Sequence, residues 1–121
     1  MKRVLVIDDS NVIKANTESI ITKNGFEFEH AFDGKEAINI LKAGFEPNII
    51  ICDINMPNMD GLEFLEWVKN EDNFKFIPVV MLTTETEIQL MQKAKKLGAS
   101  GWIIKPFDED TLIEVIKKFI R

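Results

Sequence analysis

The chain is 121 residues long, room for one domain with its own core and too little for a second of ordinary size. Its 45% apolar and 29% charged residues are those of an ordinary globular protein, while a net charge of −5 argues against nonspecific nucleic-acid binding, which needs clustered positive charge. No apolar run approaches the roughly 20 residues that span a bilayer, and the single cysteine, Cys52, has no intrachain partner, so a soluble protein of a reducing cytoplasm is expected.

Residues 4–7 (Val-Leu-Val-Ile) form a short, unbroken apolar run rich in β-branched residues, the pattern of a strand covered on both faces of a parallel sheet. Ser10 then caps a helix carrying Ile13, Ile20 and Ile21, which Gly25 terminates after Asn24. Residues 26–30 alternate apolar and polar side chains, as in a strand with one less buried face. Asp33 opens a second helix with Ala37, Ile40 and Leu41 on one side. Residues 49–52 are another covered run, with Cys52 expected as a buried, inert thiol. A third helix follows, marked by Leu62, Leu65 and Val68 and widened by Phe64 and Trp67. Residues 78–82 are the next run, and the helix after it holds Ile88, Met91, Ala94 and Leu97 before Gly98. Residues 102–104 are a last covered run, and Asp108 caps a final helix with Leu112, Val115, Ile116 and Phe119 facing inward. Lys93, Lys95, Lys96, Lys117 and Lys118 read as solvated helix faces.

Strand and helix thus alternate five times, with no repeat, linker or low-complexity tract between them. That order predicts an α/β fold: a doubly wound parallel sheet with right-handed crossovers and helices on both faces, spanning 1–121 as one domain. In such sheets ligands bind beyond the carboxyl ends of the strands. Those ends carry Asp8 and Asp9, then Asp53, Thr83 and Lys105. Three clustered carboxylates repel one another unless a cation or a proton joins them. Every candidate ligand is oxygen, which selects a hard divalent cation, and magnesium favours a few carboxylates with waters and a phosphate oxygen. Asp53 is the candidate nucleophile, since a carboxylate attacks phosphorus to give an aspartyl phosphate. Lys105 would then act as a point charge on the phosphoryl oxygens and Thr83 as a hydroxyl donor. Taken singly, Lys105 is also readable as a snorkelling surface lysine and Thr83 as a strand former.

These residues resemble a known family, the receiver domains of two-component response regulators. The likeness rests on Val6-Ile7-Asp8-Asp9-Ser10, on residues 53–61 (Asp-Ile-Asn-Met-Pro-Asn-Met-Asp-Gly), on Met81-Leu82-Thr83-Thr84 and on residues 101–107 (Gly-Trp-Ile-Ile-Lys-Pro-Phe). Within the family the chain is similar to stand-alone chemotaxis regulators of the CheY type. The resemblance implies a flavodoxin-like (βα)5 sheet of strand order 2-1-3-4-5. It implies magnesium held by Asp8, Asp9, Asp53 and the backbone carbonyl of Asn55, with Asp9 a direct ligand and Asp53 the phosphoacceptor. It implies that Thr83 and Lys105 bind the phosphoryl group and that the Lys105–Pro106 bond is cis. Pro57 and Gly61 fit the turn and helix start after the phosphoacceptor. Asn55 and Glu85 fall where the family tunes hydrolysis of the acyl phosphate, and their pairing resembles that of short-lived regulators. Trp102 falls at the aromatic switch position, where Tyr or Phe is more usual; it is either a switch side chain or a partly buried anchor.

The implied partners are a sensor histidine kinase as phosphodonor and a protein target, such as a flagellar motor switch protein, reached through the fourth and fifth helices and the strand between them. Trp102, Ile88, Leu90 and Met91 lie on those elements. The alternative output is a phosphorelay, in which the phosphoryl group passes to a phosphotransfer histidine. A monomer without membrane insertion is expected, and with no DNA-binding region after the last helix, direct transcriptional control is not. His30 reads as a structural side chain. A haloacid dehalogenase-type phosphatase also uses magnesium and an aspartate nucleophile, but needs an acid where Asn55 stands. A flavodoxin-like cofactor binder would have its phosphate repelled by Asp8 and Asp9, and a calcium loop would need other residues at Pro57 and Asn58.

Overall fold

A computed structural model describes residues 1–121, with strands and helices in strict alternation. β1 (Arg3–Ile7) leads to α1 (Asn11–Lys23), β2 (Glu27–Ala31) to α2 (Gly34–Lys42), and β3 (Ile49–Asp53) to α3 (Gly61–Lys69). β4 (Val79–Thr83) leads through a 3-10 helix (Glu85–Leu90) to α4 (Met91–Leu97), and β5 (Gly101–Ile104) to α5 (Glu109–Phe119). All pairs are parallel, in the order β2-β1-β3-β4-β5. This is the flavodoxin-like order that the family resemblance implied.

Successive strand residues point to opposite faces, so each apolar run feeds two cores. Leu5, Ile7, Ile50, Cys52, Val79 and Met81 meet Ala37, Leu41, Phe64, Leu65, Val68 and Met91 from α2, α3 and α4. Val4, Val6, Ile49, Ile51, Val80, Leu82 and Ile103 meet Ile20, Ile21, Leu112, Ile113 and Ile116 from α1 and α5. Double coverage explains why the inner strands read as unbroken apolar runs. Cys52 is fully buried, and burial pushes its thiol well up.

Helix caps set where the chain turns back. Ser10 Oγ accepts from the Ile13 N–H at 3.2 Å, and the Asp33 and Asp108 side chains accept from the amides three residues on. Asp60 and Glu63 form a reciprocal capping box at the start of α3. Gly98, at φ 111°, ends α4 in a backbone conformation that a side chain would strain.

Two expectations need correction. Ile88 does not belong to the fourth α-helix: it lies in the 3-10 segment before it and is 41% exposed. No residue of that segment is buried, so tertiary packing does not draw it into α-helical geometry, and the regular helix starts only where Met91 reaches the core. The second concerns β5, which is not covered on both faces. It is the sheet's edge, Ile103 alone is buried, and Trp102 and Ile104 are 45% and 41% exposed. α4 packs against α3, and Trp102 and Ile104 stay only partly covered.

Candidate functional site

The parallel sheet places the ends of β1, β3, β4 and β5 side by side, and the five candidate residues sit at or just beyond them. Asp53 and Thr83 are the last residues of β3 and β4, Asp8 and Asp9 follow β1, and Lys105 follows β5. Two backbone hydrogen bonds hold this edge in register: Asp8 N–H to the Ala31 carbonyl at 3.0 Å and Lys105 N–H to the Thr83 carbonyl at 2.7 Å.

The Lys105 ammonium bridges two buried carboxylates. Its Nζ lies 3.0 Å from Asp8 Oδ2 and 3.1 Å from Asp53 Oδ2. The other Asp8 oxygen accepts from the Ser10 N–H at 2.8 Å. Asp9 is exposed, and one carboxylate oxygen from each of Asp8, Asp9 and Asp53 lies within 4.8 Å of the others. Lys105 is therefore drawn into the site and is not a snorkelling surface side chain.

Burial pushes the Asp53 carboxyl up to about 6, and the Asp8 charge adds to it, against the pull of Lys105. Burial by itself would lower the Lys105 ammonium, but its hydrogen bond to Asp8 and the charge of Asp53 outweigh that and raise it. One ammonium thus leaves the cluster short of positive charge. Three convergent carboxylates with an exposed member suit a hard divalent cation, and the Asn55 carbonyl two residues past Asp53 takes no hydrogen bond from the protein.

Not every candidate is poised for contact. The Thr83 hydroxyl is buried and donates to the Thr84 carbonyl at 3.1 Å. Asn55 and Glu85 are exposed, each two residues past a strand end. The Lys105–Pro106 peptide is cis. His30 is buried on β2 against Phe28 and Phe32, with neither ring nitrogen hydrogen-bonded, and burial followed by the Lys14 charge lowers its pKa. The largest surface hollow, between Leu41, Pro47, Phe74 and Ile77, lies at the amino ends of the strands, away from the acids.

Four further features frame the site. Gly61 lies against the Asp53 carbonyl, and its N–H bonds the Ile54 carbonyl at 2.7 Å, closing the β3–α3 loop. Asn58, at φ 66°, donates to Asp33 Oδ2 at 2.7 Å and ties that loop to the start of α2. The Asp60–Glu63 box was legible as an acid and a glutamate three residues apart before an apolar run. Glu87 was legible in the same way, as the glutamate of a Thr84-x-x-Glu87 box, but that its charge reaches Asp53 was not, because that relation passes through a folded loop.

Residues 4–117 match the response regulator receiver domain family. The chain is 35% identical to Protein PilG of Pseudomonas aeruginosa over 98% of this chain and 87% of that protein. It is 31% identical to Chemotaxis protein CheY-3 of Vibrio cholerae over 98% of this chain and 92% of that one. The solved structure of the chemotaxis response regulator CheY4 of Vibrio cholerae superposes with a TM-score of 0.91 at 38% identity, covering 99% of both chains.

Proposed function

The chain belongs to the receiver domains of two-component response regulators, and from that membership we propose that residues 1–121 form one phosphorylation switch with Asp53 as phosphoacceptor. The observation that carries this reading is the Lys105 ammonium held 3.0 Å from Asp8 and 3.1 Å from Asp53, with the Asp9 carboxylate in reach of both acids. A carboxylate oxygen of Asp53 attacks the phosphorus of a phosphohistidine on a sensor kinase. The P–N bond breaks, the imidazole leaves with the electron pair, and an aspartyl phosphate remains. Lys105 moves from bridging two carboxylates to neutralising phosphoryl oxygens. Asp8, Asp9, Asp53 and the Asn55 carbonyl would hold magnesium, which when bound offsets charge between attacking carboxylate and phosphoryl group.

The new charge, about −1.5 to −2, brings three acceptor oxygens. The Thr83 hydroxyl gives up the Thr84 carbonyl and turns to them. Hydrogen bonds to charged groups contribute about 1.5–3 kcal/mol each. Two or three approach the roughly 5.5 kcal/mol that carries a two-state equilibrium across its range. The output face is α4, β5 and α5, where Trp102 and Ile104 stand exposed. Its partner is a protein target in the cytoplasm, with the chemotaxis relatives favouring a motor-control component, and the free domain is a monomer. Incubation with acetyl phosphate and magnesium followed by intact-mass measurement tests the reading: the chain gains one phosphoryl group, and no gain defeats it.

Two more results follow from the site. Magnesium at about a hundredfold excess over Kd contributes about 2.7 kcal/mol, so the wild type melts about 10 °C higher with the ion. Asp9→Ala loses most of that rise, and an equal rise in both proteins removes Asp9 from the ligands. In this reading the exposed Asn55 and Glu85, each two residues past a strand end, tune the attacking water and give a phosphorylated lifetime of seconds to minutes. Asn55→Ala and Glu85→Ala change phosphate release severalfold; unchanged rates in both discard that role.

A further inference from the structure

The connection from β4 to α4 carries an arrangement that the phosphoacceptor chemistry does not use. Thr84, immediately after Thr83, is held by Glu87: the Thr84 N–H donates to Glu87 Oε1 at 3.0 Å and the Thr84 hydroxyl donates to the same oxygen at 3.1 Å. The Thr84 hydroxyl also shares a 2.9 Å hydrogen bond with Thr86. The Thr83 hydroxyl in turn donates to the Thr84 carbonyl, so it is engaged with the very residue that Glu87 fixes. Two hydrogen bonds thus tie the carboxylate to Thr84, and a third ties Thr84 to the hydroxyl that must move.

The segment that contains Glu87 has no buried residue and sits in 3-10 geometry. Little apolar packing opposes its displacement, so local hydrogen bonds have an unusual share in deciding where it rests. Glu87 is only half buried, and its charge still reaches Asp53, adding to burial and the Asp8 charge there. A phosphoryl group on Asp53 would face that charge.

We propose that Glu87 is a positioning residue for the switch: through its box with Thr84 it holds the Thr83 hydroxyl away from Asp53 and so acts as a brake on the phosphorylated arrangement. The proposal rests on Asp53 as phosphoacceptor and adds a regulatory side chain to that site. An interaction made only in one of two arrangements weakens the apparent affinity of any ligand that needs the other. Removing the brake therefore tightens binding of a phosphoryl mimic, while the loss of a cap lowers thermal stability. A purely structural residue would lower both.

Calorimetric titration of beryllofluoride into the full chain with saturating magnesium, paired with thermal melts, tests this. Glu87→Ala binds beryllofluoride about fivefold more tightly than the wild type, as the loss of two hydrogen bonds of about 2.3-fold each implies, and melts lower. Thr84→Ala, which keeps the N–H bond, gives a smaller tightening of about twofold. Thr84→Ser retains the hydroxyl and matches the wild type. The double variant Thr84→Ala/Glu87→Ala binds no more tightly than Glu87→Ala, because both changes break one unit. Binding that is unchanged or weaker in Glu87→Ala overturns the brake while leaving Asp53 in its role. Absence of beryllofluoride binding by the wild type overturns both.

Discussion

Asp53→Asn takes up no stable phosphoryl label from acetyl phosphate and magnesium, and without metal it melts higher than the wild type at neutral pH. The first result follows from chemistry: an amide is not a competent nucleophile toward phosphorus, and no other carboxylate in the cluster has the same setting. Asp8 has one oxygen on the Ser10 N–H and the other on Lys105, whereas Asp53 combines burial with a salt bridge and lies at the end of a central strand. The second result follows from the proton. The Asp53 carboxyl is raised from its ordinary 3.8 to about 6, chiefly by burial and next by Asp8. A carboxyl that binds its proton more tightly when folded stabilises the native state below its unfolded pKa. That contribution is lost as pH rises through the folded value.

The wild type therefore loses stability relative to Asp53→Asn between pH about 4 and about 6 and holds a constant deficit above that, on the order of 1–3 kcal/mol. The amide stands in for the protonated acid at every pH, so the variant lacks this slope. Magnesium reverses the order, because only the carboxylate ligates strongly. Melts of both proteins across that range, with chelator and with magnesium, check the whole set. Stable phosphoryl uptake by Asp53→Asn would remove Asp53 from the reaction, and parallel pH curves would show that its ionisation is not strained.

Gly61→Ala destabilises the domain by about 3 kcal/mol or more, the upper end for overpacking, and lowers its melting temperature by about 10 °C or more. A Cβ at this position would lie 2.1 Å from the Asp53 carbonyl oxygen and 2.8 Å from the Ile54 Cα. Both are backbone atoms, one of them at the end of a central strand, so neither yields as a side chain does. The Gly61 N–H also bonds the Ile54 carbonyl at 2.7 Å, and the methyl group forces that loop closure apart. The loop runs through Asn55, so magnesium affinity falls with stability. Gly34→Ala is the contrast: its Cβ would meet Met59 Cγ at 2.7 Å, the flexible part of a side chain that can turn aside. Equal melting of the two variants would show that the Gly61 approach is not rigid.

How the site reads from sequence depends on how each residue is recruited. Asp8, Asp9, Asp53, Thr83 and Lys105 each stand at or just past the end of an apolar run, so counting to the end of each run found them all. Glu87 and the Asn58–Asp33 tie have no such marker. Glu87 carries only the Thr-x-x-Glu pattern of a capping box, which names Thr84 but not Asp53, and the partner of Asn58 is chosen by the path of a loop that no local pattern records.

The alternation of apolar runs with capped helical stretches was sufficient to determine the α/β class, since burial on two faces and burial on one stripe leave different periods in the chain. The tertiary structure alone decided that β5 lies at an edge with Trp102 and Ile104 uncovered, that residues 85–90 stay in a 3-10 turn, and that the Thr83 hydroxyl rests on the Thr84 carbonyl. The physical reason is range: periodicity records which side of an element is apolar, whereas coverage and side-chain direction depend on what neighbouring elements bring to that side.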